Sequence, residues 1–278
     1  MRPSYSPSGI AFDRAGPRDD VPVLLLHAGV ADRRMWDSLW PTLTAGRDAV
    51  RLDLRGFGDS TERPLGPLSA VDDVLETLSA LDIGRCHVVG ASYGAGVAVE
   101  VALAAPGLVA SLLLSAPGGS LIATATPDLR AFFDAERSAL EREDLDGAVE
   151  ANLAWWVDGP GGDPARVEPN VRERVSVMQR RAFELTADWA EVEEKELDPP
   201  ALVRLADVRA PTLVLVGGLD LDAVQDTARR VVSGVPHARR VGWPQTAHLP
   251  SMERPDDFSA LLHTWLQEVD DLVQPPTR

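Results

Sequence analysis

His87-Val88-Val89-Gly90-Ala91-Ser92-Tyr93-Gly94-Ala95-Gly96-Val97-Ala98 is the stretch on which the fold turns. An apolar run over Cys86–Ala91 reads as a buried strand. The Ala/Gly/Val-rich run over Ser92–Ala105 reads as a helix. Residues 90–94 between them fit G-x-S-x-G. Five residues alone are weak evidence, because Gly and Ser are common. The setting adds the force: a serine on a sharp strand-to-helix turn needs small neighbours so that strand and helix approach closely, and Gly90, Gly94, Ala95, Gly96 and Ala98 supply them. The helix N-terminus places positive potential where an oxyanion would form. A nucleotide-binding turn is the competing reading. The glycine spacing does not match G-x-G-x-x-G, and no phosphate-binding lysine follows. Ser92 is therefore the candidate nucleophile.

A serine hydroxyl is a poor nucleophile at neutral pH and needs a base. His248, in Gln245-Thr246-Ala247-His248-Leu249-Pro250, lies between the last short strand and the closing helix. A loop there hangs over the carboxyl ends of the strands, where open α/β sheets bind ligands. His87, His237 and His263 read as structural or exposed. The acid that orients the base is expected from another strand end. Val214-Leu215-Val216-Gly217-Gly218-Leu219-Asp220 is a buried strand, a glycine turn and a carboxylate, so Asp220 is the candidate. Asp222 competes, but just ahead of Ala223-Val224 it is better placed as a helix N-cap. The strand ending at Ser115 is followed by Ala116-Pro117-Gly118-Gly119, which offers no acid.

Working outward, short apolar runs alternate with helical stretches, which predicts a mostly parallel sheet with helices on both faces. Val21–His27, Ala49–Leu54, Val109–Ser115, Thr212–Val216 and Ala238–Val241 read as further strands, with Ile10–Arg14 as an edge strand. Ser69 N-caps a helix through about Leu81. Val224–Val232 and Pro255 to about Leu272 read as helices, and the tail Gln274–Arg278 as frayed. From about Gly119 to Ala206 the rhythm breaks. Apolar stripes at Val171, Val175, Met178, Ala182, Leu185 and Trp189, at Leu145, Val149, Leu153 and Trp156, and at Phe132, Phe133 and Leu140 predict a helical insertion. The expected division is 1–118 with 207–278 as the core and 119–206 as the insertion.

The chain has 278 residues, 45% hydrophobic, enough to bury a sizeable core. Its net charge of −16 repels phosphate backbones and acidic membrane surfaces, which argues against nucleic-acid or membrane partners. No apolar run is long enough to cross a bilayer, and the N-terminus lacks the apolar region of a secretory signal. A cytoplasmic protein is the expectation. Cys86 is the only cysteine, so no internal disulfide forms and a zinc site built on several cysteines is excluded; it reads as a small buried hydrophobe.

With Leu24-Leu25-Leu26-His27-Ala28-Gly29, Asp53-Leu54-Arg55-Gly56-Phe57-Gly58-Asp59-Ser60, the serine turn, Gly217-Gly218-Leu219-Asp220 and His248-Leu249-Pro250-Ser251-Met252-Glu253-Arg254-Pro255 in this order, the chain resembles α/β-hydrolases of the lactonase, esterase and perhydrolase type, such as enol-lactonases. The resemblance implies the α/β-hydrolase fold with a helical cap insertion over the site. It implies a chain order Ser92, Asp220, His248, no metal and no cofactor. It further implies oxyanion donors at the backbone N–H of Tyr93 and of Gly29, with Val30 as a shifted alternative. Ala28 stands where the family usually has glycine, which puts the local turn in question. His27, Asp53, Arg55, Gly56 and Gly58 are expected to shape loops. Phe132, Phe133, Trp155, Trp156, Met178 and Trp189 are expected mainly to pack the cap, a minority facing substrate; Met35 and Trp36 are open to either role. The implied reaction is hydrolysis of a carboxylic ester or lactone with an apolar part, a small-molecule substrate. Carbon–carbon bond hydrolysis and cofactor-free perhydrolysis are alternatives with the same residues, and a non-enzymatic ligand sensor is a third. Oligomeric state is left open.

Overall fold

The computed structural model describes residues 3–273; the tail expected to fray lies outside them. Eight strands form one sheet: β1 (Ser4–Tyr5), β2 (Ala11–Ala15), β3 (Val23–Leu26), β4 (Ala49–Leu52), β5 (Cys86–Ala91), β6 (Val109–Ser115), β7 (Thr212–Gly217) and β8 (Ala238–Trp243). Their spatial order is β1-β2-β4-β3-β5-β6-β7-β8. β1 and β2 are antiparallel additions at one edge, and every pairing from β4 to β8 is parallel. Strands β3, β5, β6 and β7 are buried along their whole length. That is why each reads as a continuous apolar run rather than an alternation: both faces of a parallel strand are covered.

The covering helices are α1 (Trp40–Gly46), α2 (Ala70–Ala80), α3 (Tyr93–Ala104), α4 (Pro127–Glu141), α5 (Leu145–Asn152), α6 (Pro169–Thr186), α7 (Asp222–Gly234), α8 (Pro250–Glu253) and α9 (Pro255–Val273). Ser69 caps α2 as expected, its Oγ accepting from the Asp72 N–H at 3.2 Å. Helix α3 is apolar on every side but that of Glu100 and is buried in the core, as such a helix must be. Among the described residues no helix is long and apolar enough to cross a membrane.

Two readings need correction, and one stretch of structure was not read. Asp222 is the first residue of α7, which Leu221 caps without a side-chain bond. Its carboxylate is exposed and acts only as a first-turn acid. In α4 only Phe132 of the expected stripe is buried, while Phe133 and Leu140 are exposed. Between β3 and β4 the chain makes a 3-10 turn at Arg33–Trp36 and then α1, neither marked by an apolar period. Met35 and Trp36, ambiguous in sequence, are core residues, with Trp36 stacked near Phe258 at 5.9 Å between ring centroids.

Chain order moves outward in both directions from β3 and β5: β4 lies beyond β3 on one side, and β6 beyond β5 on the other. The crevice at the carboxyl ends of β3 and β5 is thus a topological switch point, where such sheets bind ligands. Helices α4 to α6 belong to the segment between β6 and β7 and reach this end of the sheet.

Candidate active site

Ser92 occupies the turn between β5 and α3 with φ 51° and ψ −113°, a backbone conformation that L residues avoid. The turn is held because Ser92 N–H donates to Ser115 O at 2.9 Å, and its own carbonyl accepts from Gly118 N–H at 3.2 Å. Gly94 lets α3 reach the loop after β3: a Cβ there would lie 2.5 Å from His27 O and 2.6 Å from Leu26 O. The strain exposes Oγ at the end of the sheet.

His248 and Asp220 arrive from the ends of β8 and β7. The two loops pass at closest backbone range, Leu219 N–H donating to Thr246 O at 2.9 Å and Gly218 N–H to Trp243 O at 2.8 Å. Gly217 is required here, since a Cβ would sit 2.1 Å from Ala247 O. The outcome is a continuous chain of hydrogen bonds. Ser92 Oγ lies 2.7 Å from His248 Nε2, and His248 Nδ1 lies 2.9 Å from both Asp220 carboxylate oxygens. Asp220 Oδ1 also accepts from Leu221 N–H at 2.8 Å, which pins the carboxylate. Both His248 and Asp220 are buried. All three side chains singled out in sequence therefore meet, although they are separated by up to 156 positions.

Two features that sequence did not reveal steady the imidazole. Trp156 lies against the His248 ring at 4.4 Å between centroids; it belongs to a π-helical turn, Leu153–Val157, that follows α5. Glu253 accepts from Ala247 N–H at 3.0 Å and pairs with Arg166, whose guanidinium also donates to Gln245 O at 3.2 Å and Val157 O at 2.5 Å. This clamp joins the His248 loop to the α5–α6 segment. No local pattern marks a pair 87 positions apart.

Gly29 and Val30 follow β3 and, with Ser92 and His248, line a cavity of about 330 Å³. Among the described residues the N–H groups of Gly29, Val30 and Tyr93 have no acceptor. A Cβ on Gly29 would lie 3.5 Å from Tyr93 Cβ, so this loop and the start of α3 are in contact. Neither Ala28 nor Gly29 has positive φ; the alanine carries no strain, and the turn forms without the expected glycine. His27 is fully buried. Its Nε2 accepts from Leu54 N–H at 2.9 Å and its Nδ1 donates to Ala28 O at 2.8 Å, so the ring braces two loops. Burial holds its pKa below the usual imidazole range. Asp53 accepts from the backbone of Arg33 at 2.7 Å and of Asp59 at 2.8 Å and pairs with the Arg33 guanidinium. Arg55 pairs with Asp73 at 2.6 Å. These residues shape the loops beside the site. Among the described residues no group of three or more His, Cys, Asp or Glu is arranged to hold a metal ion.

Residues 23–261 match the family model described as the alpha/beta hydrolase family. The pimeloyl-[acyl-carrier protein] methyl ester esterase of Edwardsiella ictaluri is 29% identical over 252 residues, covering 89% of this chain and 93% of that protein. The 2-hydroxy-6-oxo-6-phenylhexa-2,4-dienoate hydrolase of Comamonas testosteroni is 26% identical over 281 residues, covering 93% and 91%. A solved thermophilic esterase from Thermogutta terrifontis superposes with a TM-score of 0.74 at 26% identity, over 94% of this chain and 93% of that one.

Proposed function

The chain belongs to the alpha/beta hydrolase family, and from that premise we propose that it is a serine hydrolase cleaving a carboxylic ester or lactone through an acyl-enzyme on Ser92. One observation carries the reading: the Ser92 hydroxyl sits 2.7 Å from a buried imidazole whose other nitrogen faces a carboxylate, on the wall of a cavity. In this reading Ser92 Oγ attacks the carbonyl carbon while His248 Nε2 takes its proton. Asp220 keeps Nδ1 protonated and stabilises the imidazolium that results. The tetrahedral oxyanion turns toward the unpaired N–H groups of Tyr93 and Gly29; a single such donor is worth about two to three powers of ten in rate. The imidazolium then protonates the leaving alcohol, and water repeats the sequence to release the acid.

The segment from 119 to 206 acts in this proposal as a cap. Its helices contribute Phe132, Trp156 and Phe183 to the cavity, apolar area that suits an ester with an apolar part. Fluorophosphonate labelling followed by intact-mass measurement tests the nucleophile. One adduct on the wild-type chain and none on Ser92→Ala is the expected result; no adduct, or unchanged labelling of the variant, ends the proposal. Parallel assays with p-nitrophenyl esters and an aryl diketone separate ester hydrolysis from carbon–carbon bond hydrolysis.

A further inference from the structure

The helical wall of the cavity carries three polar side chains that ester hydrolysis does not use. Glu136 on α4, Asn152 at the end of α5 and Gln179 on α6 line the same cavity as Ser92 and His248. Each stands where its helix turns an apolar stripe inward: Glu136 follows Leu129 and Phe132, Asn152 follows Val149, and Gln179 lies between Val175 and Ala182. Polar residues at such positions are costly unless something pairs them.

Their pairing inside the protein is incomplete. Asn152, 2% exposed, donates from Nδ2 to Glu136 Oε2 at 2.5 Å and to Ala148 O at 3.0 Å, which uses both amide hydrogens. Glu136 Oε1 has no partner among the described residues. Burial holds the Glu136 pKa above the usual carboxylate range. Gln179 is 5% exposed and its Oε1 is buried with no hydrogen-bond partner. A half-turn of that amide exchanges oxygen and nitrogen, so either end meets a ligand in the cavity. Leucine or methionine would pack this wall without the penalty of an unpaired amide. Among the described residues, Glu136 is the one ionisable side chain on the cavity lining apart from the His248 imidazole, and no Arg or Lys lines it.

We infer that this wall recognises a hydrogen-bond donor on the substrate, a hydroxyl or an ammonium, and turns away substrates that carry a carboxylate at that end. A donor reaches the free oxygen of Glu136 and pairs with the Gln179 amide. A carboxylate is brought, without a counter-charge, beside the half-buried carboxylate of Glu136. A purely apolar chain leaves both groups unpaired. The aromatic faces of Phe132, Trp156 and Phe183 are compatible with an ammonium as well as with a hydroxyl's hydrocarbon stem. The inference rests on the hydrolytic reading of Ser92, whose product it narrows.

The test uses p-nitrophenyl esters of one acyl length ending in methyl, hydroxyl, ammonium or carboxylate. The hydroxyl or the ammonium ester is expected to exceed the methyl ester in kcat/KM by about tenfold, and the carboxylate ester by more. Which of the two donors leads identifies the source. Gln179→Leu and Glu136→Gln should each pull the donor-to-methyl ratio toward unity, and Glu136→Gln should also raise the carboxylate ester relative to the others. Glu141→Gln, exposed on the same helix, should leave every ratio unchanged. A wild-type preference for the methyl or carboxylate ester overturns the inference, as do ratios that neither variant moves. Binding separates this failure from failure of the hydrolytic reading. In the Ser92→Ala protein, hexylammonium or 1-hexanol should raise Tm more than hexanoate does, Glu136→Gln should shrink that difference, and Gln179→Leu should lower the shifts from both donors. Equal shifts from hexanoate refute the inference even where hydrolysis is sound; the expected shifts without any ester hydrolysis support it and refute only the hydrolytic reading.

Discussion

Replacing Asp220 by Asn removes one charge and changes almost no volume, yet the geometry predicts a near-complete loss of turnover. In the wild-type chain Oδ1 accepts from both Leu221 N–H and His248 Nδ1, while Oδ2 faces Nδ1 at 2.9 Å. An asparagine has one oxygen for these duties. With that oxygen toward Leu221 N–H, the NH₂ group replaces Oδ2 against Nδ1, and this second donor favours the tautomer in which that nitrogen accepts. The ring proton then resides on Nε2, pointing at Ser92 Oγ, and the hydroxyl has no base. The rotated amide restores the correct tautomer but leaves the buried Leu221 N–H unpaired, at about 2 kcal/mol. The imidazolium formed on attack also loses its charged acceptor, about 3 kcal/mol for a charge-assisted bond. Together these reduce kcat by roughly three to four powers of ten. Steady-state hydrolysis of p-nitrophenyl butyrate reads the effect, with melting curves to show that the fold persists. Asp222→Asn, an exposed change on the first turn of α7, should leave kcat alone. An Asp220→Asn enzyme within tenfold of wild type, or an equal loss in Asp222→Asn, refutes the assignment.

Gly217→Ala drives a Cβ to within 2.1 Å of Ala247 O and 2.4 Å of Thr246 O, so the two loops must part. About 1–3 kcal/mol of stability and about a hundredfold in kcat should be lost, and unchanged kinetics would show that the loop contact does not position His248. Glu253→Ala strips Ala247 N–H of its acceptor and leaves the Arg166 guanidinium without its counter-charge, held only by backbone carbonyls. A loss of about 3 kcal/mol is expected from denaturant titration; a change under about 1 kcal/mol means the clamp does not hold the loop. Burial lowers the His27 pKa in the native state, while the unfolded ring titrates near 6.5. Between those values the unfolded chain binds more protons, so His27's contribution is present above about pH 6.5 and is lost as pH falls through that window. Long-range nitrogen NMR should find the ring mostly neutral, with Nδ1 protonated, at about pH 6.5, where an unperturbed imidazole is half charged; a mostly charged ring there contradicts the assignment. Cys86 is buried and its thiol pKa is pushed up to about 12, so Ellman's reagent should react only after unfolding, and rapid native labelling would place the thiol outside the core.

Much of the architecture was legible because parallel strands buried on both faces leave unbroken apolar runs. Cys86–Ala91 and Val109–Ser115 were read at the bounds they occupy, and β2, β3, β4, β7 and β8 within a few residues, while the two-residue edge strand β1 was not read at all. The 3-10 turn at Arg33 and helix α1 were not legible. Their short apolar contacts with the sheet generate no period, and the turn is held by Asp53 and Asp59, whose partnership with Arg33 exists only in space. The apolar stripe assigned to α4 failed at Phe133 and Leu140 because hydrophobicity shows what can be buried, and the neighbouring helices decide which face is.

Amino-acid order alone determined the candidates Ser92, Asp220 and His248. Each sits at a strand end in a local pattern with a physical cause: small residues at a tight turn, a glycine pair before a carboxylate, a histidine ahead of the closing helix. Only the tertiary structure decided the rest. The approach of two loops through Gly217, the clamp of Arg166 on Glu253, and the convergence of Glu136, Asn152 and Gln179 on one cavity join residues from separate elements. Backbone preferences act over a few residues, whereas packing sets distances between elements, and hydrogen bonds across the site depend on those distances.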